Sequence, residues 1–149
     1  MITELANSAE IEQGKLAQSR AKSPAVKKFA AMMIKHHSEA KNEQTKLYKQ
    51  LNLIPTQSQP ATALKEDAEK TLGSLRAADG SAFDVAYMNS QVDAHQKVLD
   101  SINQELLPAA SDQKLVEGLN KMKKTVEAHL DEAKCIQADL LKGSPGGTL

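Results

Sequence analysis

The sequence has 149 residues with 19 basic and 19 acidic side chains, so its formal net charge is zero. That balance gives no basic excess for a nucleic-acid partner and no acidic run for a disordered tail, and no apolar run approaches the ~20 residues of a membrane span. Tryptophan is absent, Phe and Tyr number two each, and Ala, Leu, Lys, Glu and Gln prevail, a composition that favours helices.

The chain opens on an expected helix over residues 2–21, with Ile2, Leu5, Ala6, Ala9, Leu16 and Ala17 on one face. Met1–Gln13 has no basic segment followed by an apolar core, so it does not read as a secretory signal. Lys22-Ser23-Pro24 ends this helix and starts the next, with Ser23 as cap and Pro24 in the first turn. A link that short makes the first two helices antiparallel neighbours. The second helix runs to Leu51. Its seam is Val26, Ala30, Met33, His37, Ala40, Gln44, Leu47, Leu51, in unbroken steps of three and four.

After a loop over residues 54–60, a shorter helix is expected over residues 62–78. Asp79-Gly80 marks its exit, and Ser81 with Asp84 forms an entry resembling a capping box. The next helix covers residues 82–107 with a seam of Val85, Met88, Val92, His95, Leu99, Ile102 and Leu106, and Pro108 breaks it. The last runs over residues 112–142 with Leu115, Leu119, Met122, Val126, His129, Ala133, Ile136 and Leu140 inward. Cys135, the single cysteine, reads as a small packing residue. Residues 1–142 are expected to form one all-α domain and residues 143–149 a flexible tail. The long link between the second and fourth helices, with a short helix inside it, implies a ferritin-like four-helix bundle.

Three histidines, His37, His95 and His129, sit near the midpoints of three long helices, each on the inward seam. Residues near helix midpoints share a level when helices of similar length pack side by side. The first helix offers Glu10 and Glu12, and periodicity alone does not decide which points inward. Three imidazoles and a carboxylate suit one divalent metal ion, zinc first, with iron, copper or manganese as further candidates. His36 falls one residue off the seam, Asp84 lies three turns from His95, and Glu132 reads as a solvated ion-pair residue. No Gly-rich phosphate loop, nucleophile elbow or CxxC occurs.

Ala9-Glu10-Ile11 with Gly14-Lys15-Leu16-Ala17, then Val26-Lys27-Lys28-Phe29-Ala30 through Met33 and His37, resemble the family called domain of unknown function 4142 (DUF4142). Ala82-Phe83-Asp84 with Ala86-Tyr87, His95, and Glu127-Ala128-His129-Leu130 continue the resemblance, which covers roughly residues 3–140. It implies a ferritin-like bundle, often exported to the bacterial periplasm or envelope, with no established activity. Carried over residue by residue, it favours Glu10 over Glu12 and selects His37, His95 and His129. Two departures stand out: His36 occupies a position that is commonly acidic, and His95 follows Ala94. The Glu-x-x-His spacing of di-iron bundles is missing as well, because Ile34, Val92 and Val126 lie three residues before the histidines.

The expectation is therefore a non-enzymatic, metal-binding bundle using Glu10, His37, His95 and His129, without nucleic-acid binding or membrane insertion, and compatible with a homodimer. Two alternatives belong to other classes. One is a helical protein–protein interaction module with structural core histidines. The other is a small redox or hydrolytic enzyme with an open metal position.

Overall fold

The computed structural model describes residues 2–50, 52, 54 and 59–143, and every regular element among them is helical. Helix α1 spans Ile2–Arg20, α2 Pro24–Gln50, α3 Gln59–Ala77 and α4 Gly80–Ser101. A π-helical turn, Ile102–Leu106, and a last α turn, Leu107–Ala109, prolong α4, and α5 spans Gln113–Lys142. The fold class is all-α. No helix among the described residues is long and apolar enough to cross a membrane. The chain divides into two compact units, Met1–Tyr87 and Met88–Leu149, and α4 contributes to each. Of the expected tail over residues 143–149, all but Gly143 lie outside the described residues.

In the first unit, α1 and α2 are antiparallel. Asn7 meets His37 and Ser8 meets Lys41, whereas Gly14, farther along α1, faces Ala30 and Ile34, earlier on α2. The approach is close because the facing residues are small: Ala17 and Ala30 are fully buried, and a Cβ on Gly14 would come within 2.8 Å of Ile34 Cγ1 and 3.2 Å of the Ala30 carbonyl oxygen. The corner between these helices is held from α4. The Asp84 carboxylate accepts the Lys22 N–H at 3.0 Å and the Ser23 N–H at 2.7 Å. Asp84 is thus not the entry cap of its own helix; that entry is made by the Asp79 carbonyl, which accepts the Phe83 N–H at 3.3 Å. Gly80, at φ +58°, makes the sharp change of direction between α3 and α4, a conformation that costs a residue with a Cβ.

Three of the four aromatic residues cluster in the core of this unit, with Val26, Met33 and Leu75 also buried. Tyr87 stacks on Phe83 with ring centroids 6.3 Å apart and meets Phe29 edge-on at 6.4 Å. The Arg20 guanidinium lies 5.7 Å from the Phe83 ring centroid, pairs with Asp79, and donates to the Arg76 carbonyl at 2.6 Å. The end of α1 is thereby fastened to the α3–α4 corner.

In the second unit, the later half of α4 and α5 are antiparallel. Gln137 Nε2 donates to Asn89 Oδ1 at 2.7 Å, and Lys134 Nζ donates to Gln96 Oε1 at 3.2 Å. Asp112 caps α5 by accepting the Leu115 N–H at 2.9 Å. Before Pro108 the helix widens, with the Leu107 N–H donating to the Ile102 carbonyl five residues back. Pro108 has no N–H to donate and its ring crowds the carbonyl four residues earlier, so the ladder is reset ahead of it; the helix then persists to Ala109.

The seams differ from the periodic expectation at their ends. Leu47, Leu106, Leu115 and Met122 are 44–52 % exposed, Ala40 is exposed, and Cys135 is exposed rather than packed.

Two stability tests follow from these contacts. Gly14→Ala should lower stability by about 1–2 kcal/mol, because overpacking outweighs the gain in helix propensity. Gly73→Ala and Gly118→Ala, where an added Cβ meets nothing within 4 Å, should instead raise it by up to about 1 kcal/mol. Thermal melts resolve this, since each kcal/mol moves Tm by about 2–4 °C in a chain of this size. Asp84→Ala strips the acceptor from two backbone N–H groups and should cost about 2–4 kcal/mol, read as a lower urea midpoint at unchanged m-value.

Candidate metal centre

Two of the expected ligands sit on the α4–α5 pair. His95 and His129 are each 5 % exposed, and their rings meet edge-on with centroids 5.3 Å apart and an interplanar angle of 78°. His95 Nδ1 lies 2.9 Å from the Gln91 carbonyl oxygen, one turn back on α4. A carbonyl oxygen only accepts, so Nδ1 carries the hydrogen and Nε2 holds the lone pair in the neutral ring. The third expected ligand, His37 on α2, is half-buried, and its Nδ1 lies 2.9 Å from Asn7 Oδ1 on α1. The same assignment follows, with Nε2 as the lone-pair nitrogen, and that atom is buried. Each of the three histidines offers one ring nitrogen, and these atoms lie within 4.8 Å of one another.

Glu10 lies one turn from Asn7 on α1 and is half-buried, whereas Glu12 is exposed. Glu12 instead lines a half-open groove of about 210 Å³ with Leu5, Ala9, Lys65 and Glu69. The group of converging nitrogens consists of the three histidines and does not include Glu10. Among the other sequence candidates, His36 is half-buried and outside that group, Glu132 is exposed, and Asp84 is engaged at the α1–α2 corner.

Several buried polar residues near these positions were not expected. Gln91 is fully buried one turn before His95, and Gln13 is 6 % exposed on α1. Position i−4 from an inward histidine was the available signal for Gln91, and the shared face with Glu10 for Gln13. Tyr87 is fully buried as well. Burial, and then the negative charge of Glu10, push its phenol far above the ordinary tyrosine range.

The family model described as Domain of unknown function (DUF4142) matches residues 2–136. The chain belongs to that family. The DUF4142 match takes in Glu10 and all three histidines. No curated protein and no solved structure matches the chain. Within this DUF4142 chain, the oxygen that orients His37 comes from Asn7 on the neighbouring helix, although the residue before it is His36 rather than an acid.

The raised phenol of Tyr87 gives a pH test. The folded state keeps its proton where an unfolded tyrosine, near about 10, loses it. The stability tied to this proton is complete below that value and is lost as pH rises above it. Alkaline denaturation should therefore steepen above about pH 10, by up to about 1.4 kcal/mol per pH unit, and Tyr87→Phe should flatten that slope. Urea melts at a series of alkaline pH values measure the difference.

Proposed function

We propose that this protein binds a single divalent metal ion through His37, His95 and His129, with Glu10 as the carboxylate that completes the set, and that it does so as a binding protein rather than an enzyme. The observation that carries this reading is the convergence of three imidazole nitrogens within 4.8 Å. Tetrahedral zinc with nitrogens at about 2.0–2.1 Å holds them about 3.4 Å apart, so modest side-chain rotation closes the group on an ion. The Nδ1 contacts of His37 and His95 support it further. Metal-ligating histidines almost always donate their other N–H to a carbonyl or carboxylate, which fixes the ring. Glu10 is supported by its half-buried place on α1 and by its charge reaching Tyr87.

Zinc is the first choice for this donor set, ahead of iron, copper and manganese. A carboxylate-bridged di-iron centre is not part of the proposal. The positions three residues before the histidines are Ile34, Val92 and Val126, none of which can bridge metals. The helix order, with α3 inside the long link from α2 to α4, supports a ferritin-like bundle as the scaffold. The family resemblance supports a setting in the bacterial envelope.

Metal content after dialysis of untagged protein against zinc, iron, copper and manganese, followed by gel filtration, tests the proposal. One equivalent of zinc is expected. His95→Ala or His129→Ala should lower the affinity at least tenfold. Zinc at 100 times Kd should stabilise the wild type by about 2.7 kcal/mol, reversed by chelator. Protein that takes up none of the four metals and melts identically in their presence would refute it.

A further inference from the structure

Helix α1 supplies no imidazole, yet one of its side chains sets the state of His37. Asn7 Oδ1 lies 2.9 Å from His37 Nδ1, and the His37 Nε2 atom is buried. In a neutral imidazole only one nitrogen carries a hydrogen, so an acceptor fixed at Nδ1 assigns the lone pair to Nε2. His95 reaches the same state by a different route, through the backbone carbonyl of Gln91 on its own helix. That acceptor is built into α4 and survives any side-chain substitution. The acceptor for His37 is a side chain on another helix, and it can be removed without touching a histidine.

We infer that Asn7 is a positioning residue of the metal site: it holds His37 in the Nδ1–H tautomer and so makes Nε2 the ligand atom. The inference rests on the metal-binding reading for its consequence and on the Asn7–His37 hydrogen bond for its cause. Three features of the contact fit this role. Asn has a short side chain with two rotatable bonds, so little freedom is lost in holding the oxygen in place. Its amide oxygen is a neutral acceptor that orients the ring without adding a charge. The next contact along the same helix pair, Lys41 Nζ donating to Ser8 Oγ at 2.8 Å, fixes the register that brings Asn7 to His37.

The test uses Asn7→Leu, which removes the acceptor at similar volume, and Asn7→Asp, which keeps an acceptor oxygen. Two readouts are taken on the full chain: long-range ¹H–¹⁵N spectra of the metal-free protein, which report the tautomer of each histidine, and zinc affinity by competition with a chromophoric chelator. In the wild type and in Asn7→Asp, His37 should show the Nδ1–H tautomer. In Asn7→Leu it should show a mixture, while His95 stays unchanged in all three. Zinc affinity should fall about 10–100-fold in Asn7→Leu and stay within about threefold of the wild type in Asn7→Asp.

An unchanged His37 tautomer in Asn7→Leu overturns the inference, and so does a changed tautomer with unchanged zinc affinity. Loss of the Nδ1–H tautomer in both variants overturns it too, because a retained acceptor would then not suffice. If the wild type binds no zinc, the metal-binding reading falls, and the spectra of the metal-free protein still decide whether Asn7 governs His37.

Discussion

An imidazole removed from water has two nitrogens with opposite needs: in the neutral ring one must donate a hydrogen bond while the other offers a lone pair. The arrangement of this protein's histidines depends on how the donor is satisfied. For His95 the answer lies within its own helix, since a carbonyl already accepting in the helical ladder has a second lone pair for Nδ1. For His37 the answer lies on α1. In both rings the donating nitrogen is Nδ1, and so in both the electron pair sits at Nε2. A set of rings that share one tautomer has a common chemical polarity, and that is a property of hydrogen bonding rather than of the histidines themselves.

Polar side chains are buried in each unit. Gln13 and Asp84 are buried in the first unit, which also holds the aromatic cluster of Phe29, Phe83 and Tyr87, and Gln91, His95 and His129 are buried in the second. Buried polar groups weaken a core unless each finds a partner, and apolar replacements of equal volume often stabilise it. Part of this polarity has a structural assignment. Asp84 secures the α1–α2 corner, and its removal would leave backbone donors without their acceptor. His37 and His95 are each held through Nδ1, by Asn7 Oδ1 and by the Gln91 carbonyl respectively.

Much of the fold was legible in the residues. Ser23-Pro24 announced the start of α2 because capping and proline chemistry act locally, and the last helix, expected from residue 112, starts at Gln113 behind the Asp112 cap. α3 begins earlier than periodicity indicated, at Gln59, since Pro60 belongs to its first turn rather than to the preceding loop. The seam of α4 was read as Val85, Met88, Val92, His95, Leu99, Ile102 and Leu106; Met88, His95 and Ile102 are buried, Val85, Val92 and Leu99 are half-buried, and Leu106 is exposed. The buried line is Phe83, Asp84, Tyr87, Met88, Gln91 and His95. A count of apolar residues cannot recognise a buried aspartate or glutamine as inward, so Asp84 and Gln91 were missed beside the seam. The three histidines stood out because they interrupted apolar seams. Asn7 did not, because an asparagine on an alanine-rich helix looks the same in sequence whether it faces water or an imidazole. Leu47, Leu106, Leu115 and Met122 show the converse error, since periodicity marks an apolar face without saying what covers it.

The missing side chain of Gly14 reaches further than its own contact with Ile34. Gly14 lies seven residues from Asn7, two turns and about 10 Å along the same face of α1. A wider separation of α1 and α2 at Gly14 would widen the gap that Asn7 bridges to His37. Asparagine is short, and a hydrogen bond weakens steeply once its length grows by a few tenths of an ångström. Gly14 acts as a spacer gauge for the pair of helices. A residue with no side chain thus bears on the reach of the Asn7–His37 hydrogen bond two turns away.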